Sequence, residues 1–158
     1  MFNLVEQAKI IQAITPQAGA AITGDYISLK NAEMAYIVVH MAQGAADICT
    51  ITIEQATDVA GTGHKVITNV VPIWSNLDCV ASDTLVRRTD AVNYALDAGI
   101  KNKVVVFQID PSSLDVAGNF DCITVITSAS NAANITSALY ILTGLKYAGA
   151  TPPSAIVD

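Results

Sequence analysis

The chain has 158 residues, of which 52% are apolar and only 14% are charged, and its formal net charge is −6. This composition excludes a disordered chain, because disorder goes with low hydrophobicity and high charge, and the scarcity of Lys and Arg argues against a nucleic-acid partner. Charged residues usually make up about 25% of a soluble protein. With so few charges to keep an isolated subunit in water, we expect a homo-oligomer.

The sequence shows no basic segment followed by an apolar core that would indicate a signal peptide. It also lacks a run of about 18 apolar residues, so we expect no membrane partner. The three cysteines, Cys49, Cys79 and Cys122, do not have metal-binding spacing. We therefore expect free thiols, two of them buried in strands, in a protein that matures in a reducing cytoplasm.

The first predicted element is a helix in an N-terminal arm, residues 1–16. Asn3 and Glu6 have the spacing of a capping box. Leu4, Ala8 and Ile11 share one helical stripe, and Pro16 ends the pattern. The sequence therefore predicts a short helix from Leu4 to Ala13. Its narrow apolar stripe should dock either on its own domain or on a neighbour.

The middle of the chain, 17–147, has the alternation that is typical of β-strands. A strand is predicted near Tyr26 to Lys30, and further strands are predicted in EMAYIVVHMAQ, ADICTITIEQATD, VITNVVPIW, TLVRRTDA, VVVFQID, FDCITVITSAS and NITSALYILTGLKY. The EMAYIVVHMAQ strand is apolar on both of its faces. Regularly spaced short strands with turn residues between them predict a single all-β domain, an antiparallel sandwich of jelly-roll or Greek-key type.

The segment DPSSLDVAGN interrupts the strands and is predicted to form a helical turn. Asp110 would cap this turn, Pro111 would occupy its first position, and Gly118 would close it. Asp110, Asp115 and Asp121 could also form a weak calcium site. Capping explains Asp110 and Asp121 without a metal and is the preferred interpretation.

No catalytic constellation is recognisable in the sequence. His40 lies within a strand, where a core or interface histidine is expected, and His64 lies in a Gly-rich turn without nearby ligands at zinc-site spacing. Cys79 is the only cysteine predicted in a loop, but no partner histidine can be identified for it. We therefore expect a protein that is not an enzyme, with no catalytic residues, cofactor or metal.

The C-terminal tail, 148–158, follows an apolar strand and contains Pro152 and Pro153. Consecutive prolines favour an extended arm that loses little entropy when it docks. The tail could dock on a neighbouring molecule, pack on its own sandwich, or be frayed. The predicted contact residues for a capsid or another subunit are the apolar and proline residues of the two ends, Leu4, Ile11, Pro152, Pro153, Ile156 and Val157.

The segments LVEQAKIIQAITP and LYILTGLKYAGATPPSAIVD, together with the SLKN…ITIEQA section, resemble small virion structural proteins of tailed bacteriophages. The resemblance covers about half of the chain. Within this group, the chain is similar to the capsid decoration, or cement, proteins. It implies a trimer or dimer that is made in the bacterial host cytoplasm and lies on the capsid surface of the virion. Its partner would be the phage major capsid protein and its role the stabilisation of the shell. A carbohydrate-binding sandwich module and another head or tail component are the alternatives.

Overall fold

The computed structural model describes residues 3–157 and confirms the predicted antiparallel β-sandwich. One short helix, α1, spans Leu4–Gln7. The strands are β1 (Ala8–Ala18), β2 (Ile22–Thr23), β3 (Ile27–Ser28), β4 (Met34–Ala42), β5 (Thr50–Ala56), β6 (Lys65–Val66), β7 (Val71–Asn76), β8 (Val86–Ala91), β9 (Asn93–Ala95), β10 (Asn102–Ile109), β11 (Cys122–Thr127) and β12 (Ile135–Thr143).

The strands form two sheets. The large sheet has six strands in the order β1-β12-β4-β10-β7-β8. In the small sheet β11 and β5 are central, β2 and β3 pair with β11, and β6 and β9 pair with β5. All of these pairings are antiparallel, and neighbours in space are mostly distant in the chain, as in Greek-key sandwiches.

The core lies between the two sheets. Alternate residues of β4, β10 and β12 point inward and are buried, while residues of β5 and β11 cover them from the other side. One continuous apolar cluster contains residues of both sheets, among them Ile37, Phe107 and Ile53. Burial of one face of each sheet against the other is the main force holding the sandwich together.

The predicted helix from Leu4 to Ala13 is wrong beyond its first turn. From Ala8 onward the chain is the edge strand β1, which pairs with β12. The N-terminal segment 1–16 is therefore mostly part of the large sheet and not a helical arm. The free edge of β12 supplies hydrogen-bond partners along β1, and the branched Ile10 and Ile11 suit a strand better than a helix. Pro16 is tolerated because it lies on an edge strand, where a missing N–H costs little.

The predicted strand from Tyr26 to Lys30 is shorter in the structure and is separated from β2 by an irregular segment. The hydroxyl of Tyr140, from the opposite sheet, is inserted at this interruption. It donates a hydrogen bond to the carbonyl of Asp25 at 2.8 Å and accepts one from the N–H of Val125 at 3.2 Å. Burial raises the pKa of the Tyr140 hydroxyl, so it stays protonated and can donate. One side chain thereby satisfies backbone groups that the broken pairing leaves free.

The DPSSLDVAGN segment forms two short 3₁₀ turns, Pro111–Ser113 and Val116–Gly118. The predicted capping role of Asp110 is confirmed, because its side chain accepts a hydrogen bond from the N–H of Ser112. The closing residue is Asn119, in the left-handed conformation with φ 61°, and not Gly118. Asn is one of the few residues other than glycine that adopt this conformation readily.

A buried lysine closes one end of the sandwich. The Lys103 side chain, on an inward position of β10, is 0% exposed. Its ammonium group donates to Gln43 Oε1 at 2.6 Å, to the Asp97 carbonyl at 2.7 Å and to Asp97 Oδ1 at 2.5 Å. Lys103 hydrogen bonding lowers the pKa of the Asp97 carboxyl. All three ammonium protons have acceptors, which offsets the cost of removing the charge from water.

Candidate interaction surfaces

The outer face of the large sheet is a broad surface without formal charge. There is no Asp, Glu, Lys or Arg on the outer side of β12, β4, β10 or β7, nor on that side of the part of β1 that pairs regularly with β12. We call this surface the uncharged face. Its side chains are Ile10, Gln12, Met34, Tyr36, Val38, His40, Ala42, Pro72, Trp74, Asn76, Asn102, Val104, Val106, Gln108, Ile135, Ser137, Leu139, Ile141 and Thr143.

Strand register makes this surface continuous. Leu139 lies opposite Val38 on one side and Gln12 on the other, and Val106 joins Val38 to Trp74. These residues therefore form one row across five strands. Leu139 is 43% exposed and Ile10, in the next row, is 50% exposed. Large exposed apolar patches of this kind mark interaction sites in soluble proteins.

Charged side chains border the uncharged face on β8. The Arg87 guanidinium lies 4.8 Å from the centre of the Trp74 ring, in a cation–π contact, and also forms an ion pair with Asp90. The surface thus has an apolar centre with a polar boundary at this edge, which is the usual anatomy of a protein interface.

The outer side of the small sheet has a different character. Glu54 Oε2 lies 2.8 Å from His64 Nδ1, and Lys65 lies 2.6 Å from Asp115. The outer side of the small sheet therefore carries charged pairs, which the outer face of the large sheet lacks.

His40 lies on the exposed side of β4, among the residues of the uncharged face. The prediction of a core histidine is thus wrong, whereas a role at an interface stays a prediction. His64 contacts Glu54. The carboxylate of Asp58, in the same loop, accepts hydrogen bonds from the N–H groups of Ala60 and Thr62.

The two ends of the chain lie side by side. The N–H of Gly149 donates to the carbonyl of Glu6 at 3.1 Å, and the Lys9 ammonium reaches the carbonyls of Pro152, at 3.3 Å, and Pro153. Exposed apolar side chains flank this junction on both sides. We call them the terminal patch, which consists of Leu4, Val5, Tyr147, Ile156 and Val157.

The predicted contact residues are thus partly assembled and partly separated. Leu4, Ile156 and Val157 are 44%, 55% and 64% exposed, so they are accessible to a partner. Pro152 is half-buried and Pro153 exposed beside Lys9. Ile11, in contrast, packs against the core of its own sandwich.

In this structure the tail lies on its own sandwich. The carbonyl of Ala155 accepts a hydrogen bond from the N–H of Ser28 in β3 at 2.7 Å, and the Ala155 side chain is only 6% exposed. Lys9 holds the two preceding prolines against β1. The tail therefore fastens the edge of the large sheet to β3 of the small sheet, while Ile156 and Val157 remain outside.

The residues considered for chemistry are spread through the structure in ordinary structural roles. Asp115 caps the second 3₁₀ turn, and Asp121 lies 3.5 Å from Lys30. Over residues 3–157, His, Cys, Asp and Glu side chains form no group of three that could hold a metal. Cys49 and Cys122 are buried, as predicted, Cys79 is partly exposed, and none of the three is in a disulfide.

Sequence reasoning missed the uncharged face as a surface. The signal for it in the sequence is that β4 is apolar on both of its faces, a pattern that is also typical of a strand covered on both sides. Only the strand order shows that neighbouring strands place uncharged residues beside it.

No family model and no curated protein matches this chain. Among solved structures, it resembles the SPBc2 prophage-derived protein YomS, with 9% identity, a TM-score of 0.49 and coverage of 87% of this chain and 93% of that one. A family 11 carbohydrate-binding module from Clostridium thermocellum, solved with a mixed-linked tetrasaccharide, gives 11% identity, a TM-score of 0.35 and coverage of 89% and 86%. A structure of infectious bursal disease virus, Gx strain, gives 10% identity, a TM-score of 0.25 and coverage of 86% and 39%.

Within residues 3–157, no helix has the length and apolar character required to cross a bilayer.

Proposed function

We propose that this chain is a structural protein of a phage virion that self-associates, binds the outer surface of the capsid and stabilises the shell. The observation that carries the proposal is the absence of charge from the uncharged face, together with the exposed apolar side chains of the terminal patch. Surfaces of this kind are built to be covered by protein. The partner in the particle would be the major capsid protein, and the role would require no catalytic residue or cofactor.

The terminal patch is the proposed capsid contact. Both chain ends contribute to it, and the sequence segments that resemble virion proteins are the ones that build it. Ile156 and Val157 directly follow Ala155, whose carbonyl is hydrogen-bonded to the N–H of Ser28. Leu4 lies two residues before Glu6, whose carbonyl is hydrogen-bonded to the N–H of Gly149. Because the anchored backbone is already ordered, docking of these side chains would cost little additional entropy.

Substituting both Ile156 and Val157 with Asp is expected to abolish binding to phage heads that lack this protein. The change places two carboxylates in a contact that has to lose water, which is costly for unpaired charge. Binding is measured by cosedimentation of the purified protein with these heads. Heads coated with the unchanged protein are expected to release DNA at a higher temperature than bare heads.

Val80→Asp is the matched control, because Val80 is 83% exposed and lies in a loop outside both surfaces. It should bind and protect heads as the unchanged protein does. Point substitutions are preferable to truncation after Tyr147, since truncation also removes Ala155 from the core. If the double variant still cosediments with heads, the terminal patch is not the contact. If coated and bare heads release DNA at the same temperature, the stabilising role is wrong.

Carbohydrate binding is a second candidate, favoured by one specific observation. Tyr36 and Trp74 both belong to the uncharged face, on strands separated only by β10. Trp74 lies opposite Val106 and Tyr36 opposite Gln108, so the two backbones are two strands apart, offset by two residues and about 12 Å from each other. Two aromatic rings at this spacing can contact one oligosaccharide. The Gln108 amide on the intervening strand could hydrogen-bond a hydroxyl group.

A glycan array probed with the labelled protein tests this candidate. Carbohydrate binding predicts a defined set of glycans whose signal is lost in Trp74→Ala and retained in Val80→Ala. An array without any signal above that of a labelled control protein would eliminate it.

A further inference from the structure

We infer that the uncharged face binds a second copy of this chain, face to face, in a two-fold symmetric dimer. The inference deepens the proposed structural function by assigning its self-association to one surface. It rests on the extent of that surface, on its lack of charge and on the way β-sheets pack.

The extent of the uncharged face suits a stable dimer. It crosses five strands, and β4, at its centre, is nine residues long. With strands about 4.8 Å apart and a rise of about 3.4 Å per residue, the face covers roughly 650 Å² before side-chain relief is added. A stable interface buries about 800 Å² on each partner, so the whole face, with its relief, reaches that size.

The lack of charge makes the face compatible with a copy of itself. Each chain has a net charge of −6, so two copies repel each other in general. On the uncharged face no carboxylate or ammonium group would be buried or placed against a like charge, and desolvation stays inexpensive. An identical partner is therefore electrostatically acceptable here, although it would be unfavourable over surfaces such as the one around Glu54 and Asp115.

The shape of the face also favours a second sheet as its occupant. Two sheet faces with alternating side chains interdigitate at about 10 Å, as the two sheets of this sandwich already do. A two-fold contact uses the same patch on both copies. If that contact covers the whole uncharged face, the two-fold axis passes near the centre of the face. Val38 and its cross-strand neighbour Leu139 occupy that centre.

The test is the mass of the purified protein by sedimentation equilibrium, together with charge substitutions at Leu139. The unchanged protein should have twice the single-chain mass of 16.5 kDa. Leu139→Lys and Leu139→Glu should each give the single-chain mass, because two like charges would meet near the axis. An equimolar mixture of the two variants should recover dimer. Val80→Lys should remain dimeric, and circular dichroism should show an unchanged fold for all variants.

Several outcomes would overturn the inference. The first is a single-chain mass for the unchanged protein at concentrations approaching about 1 mM, where even a weak association of about −4 kcal/mol is detectable. The second is a dimer that persists in Leu139→Lys, and the third is an oligomer with an odd number of copies. A monomeric protein whose Leu139→Lys variant no longer binds heads would instead assign the face to the capsid. Because mass is measured without heads, loss of the dimer leaves the proposed capsid binding separately testable through Ile156 and Val157.

Discussion

Replacing Tyr140 with Phe is expected to lower the free energy of unfolding by about 2–3 kcal/mol, because it leaves buried backbone groups without a hydrogen-bond partner. The Asp25 carbonyl would lose its 2.8 Å bond and the Val125 N–H its 3.2 Å bond. The aromatic ring remains in place, so the core keeps its packing. The decrease in the free energy of unfolding therefore measures the contribution of the hydroxyl group alone.

Urea denaturation of the purified protein, followed by fluorescence, measures this change. The control is Tyr147→Phe, since Tyr147 is 55% exposed and its hydroxyl is available to water. It should alter stability by less than about 0.5 kcal/mol. If Tyr140→Phe is equally mild, the hydroxyl does not hold the interrupted pairing beside β11.

Removing the acceptor of the buried lysine should also be costly. Asp97→Asn is expected to destabilise the protein by about 1–3 kcal/mol, less than the 3–5 kcal/mol typical of a broken buried pair, because the Asp97 side chain is 55% exposed. Lys103→Met should cost less than Asp97→Asn. It removes the buried charge together with its desolvation penalty and keeps an apolar chain of similar length in the core.

The Lys103–Asp97 pair also predicts a dependence of stability on pH. The Asp97 carboxyl has a lowered pKa, chiefly because it accepts a hydrogen bond from Lys103. Its contribution to stability is therefore complete above the ordinary carboxyl pKa of about 3.9 and is lost as the pH falls through the lower pKa of the folded state. Urea midpoints measured from neutral to acidic pH should fall less steeply for Asp97→Asn than for the unchanged protein. Parallel curves, or a greater loss in Lys103→Met than in Asp97→Asn, would contradict this assignment.

The two proposed surfaces can be separated experimentally. Ile10 belongs to the uncharged face and Lys9, its neighbour in β1, holds the tail. Substitutions at Leu139 address only the first surface, and substitutions at Ile156 and Val157 address only the second. A particle coat that uses both surfaces would combine contacts between copies with contacts to the shell.

The amino-acid sequence by itself determined the class of fold, since period-2 alternation in segments such as EMAYIVVHMAQ and ITIEQA leaves one side of each strand to be buried. Local signals also predicted the Asp110 cap. These features depend on neighbours within a few residues, which a single sequence displays directly.

Only the tertiary structure decided where β1 begins, how Lys103 is buried and which surface lacks charge. The apolar spacing of Leu4, Ala8 and Ile11 suits a helix, but the unpaired edge of β12 provides backbone partners that a local pattern does not contain. Likewise, Lys103 reaches its inward position only because Gln43 and Asp97 bring acceptors to it. The uncharged face exists because the strand order places β12, β4, β10 and β7 side by side, and that order follows from packing between segments far apart in the chain.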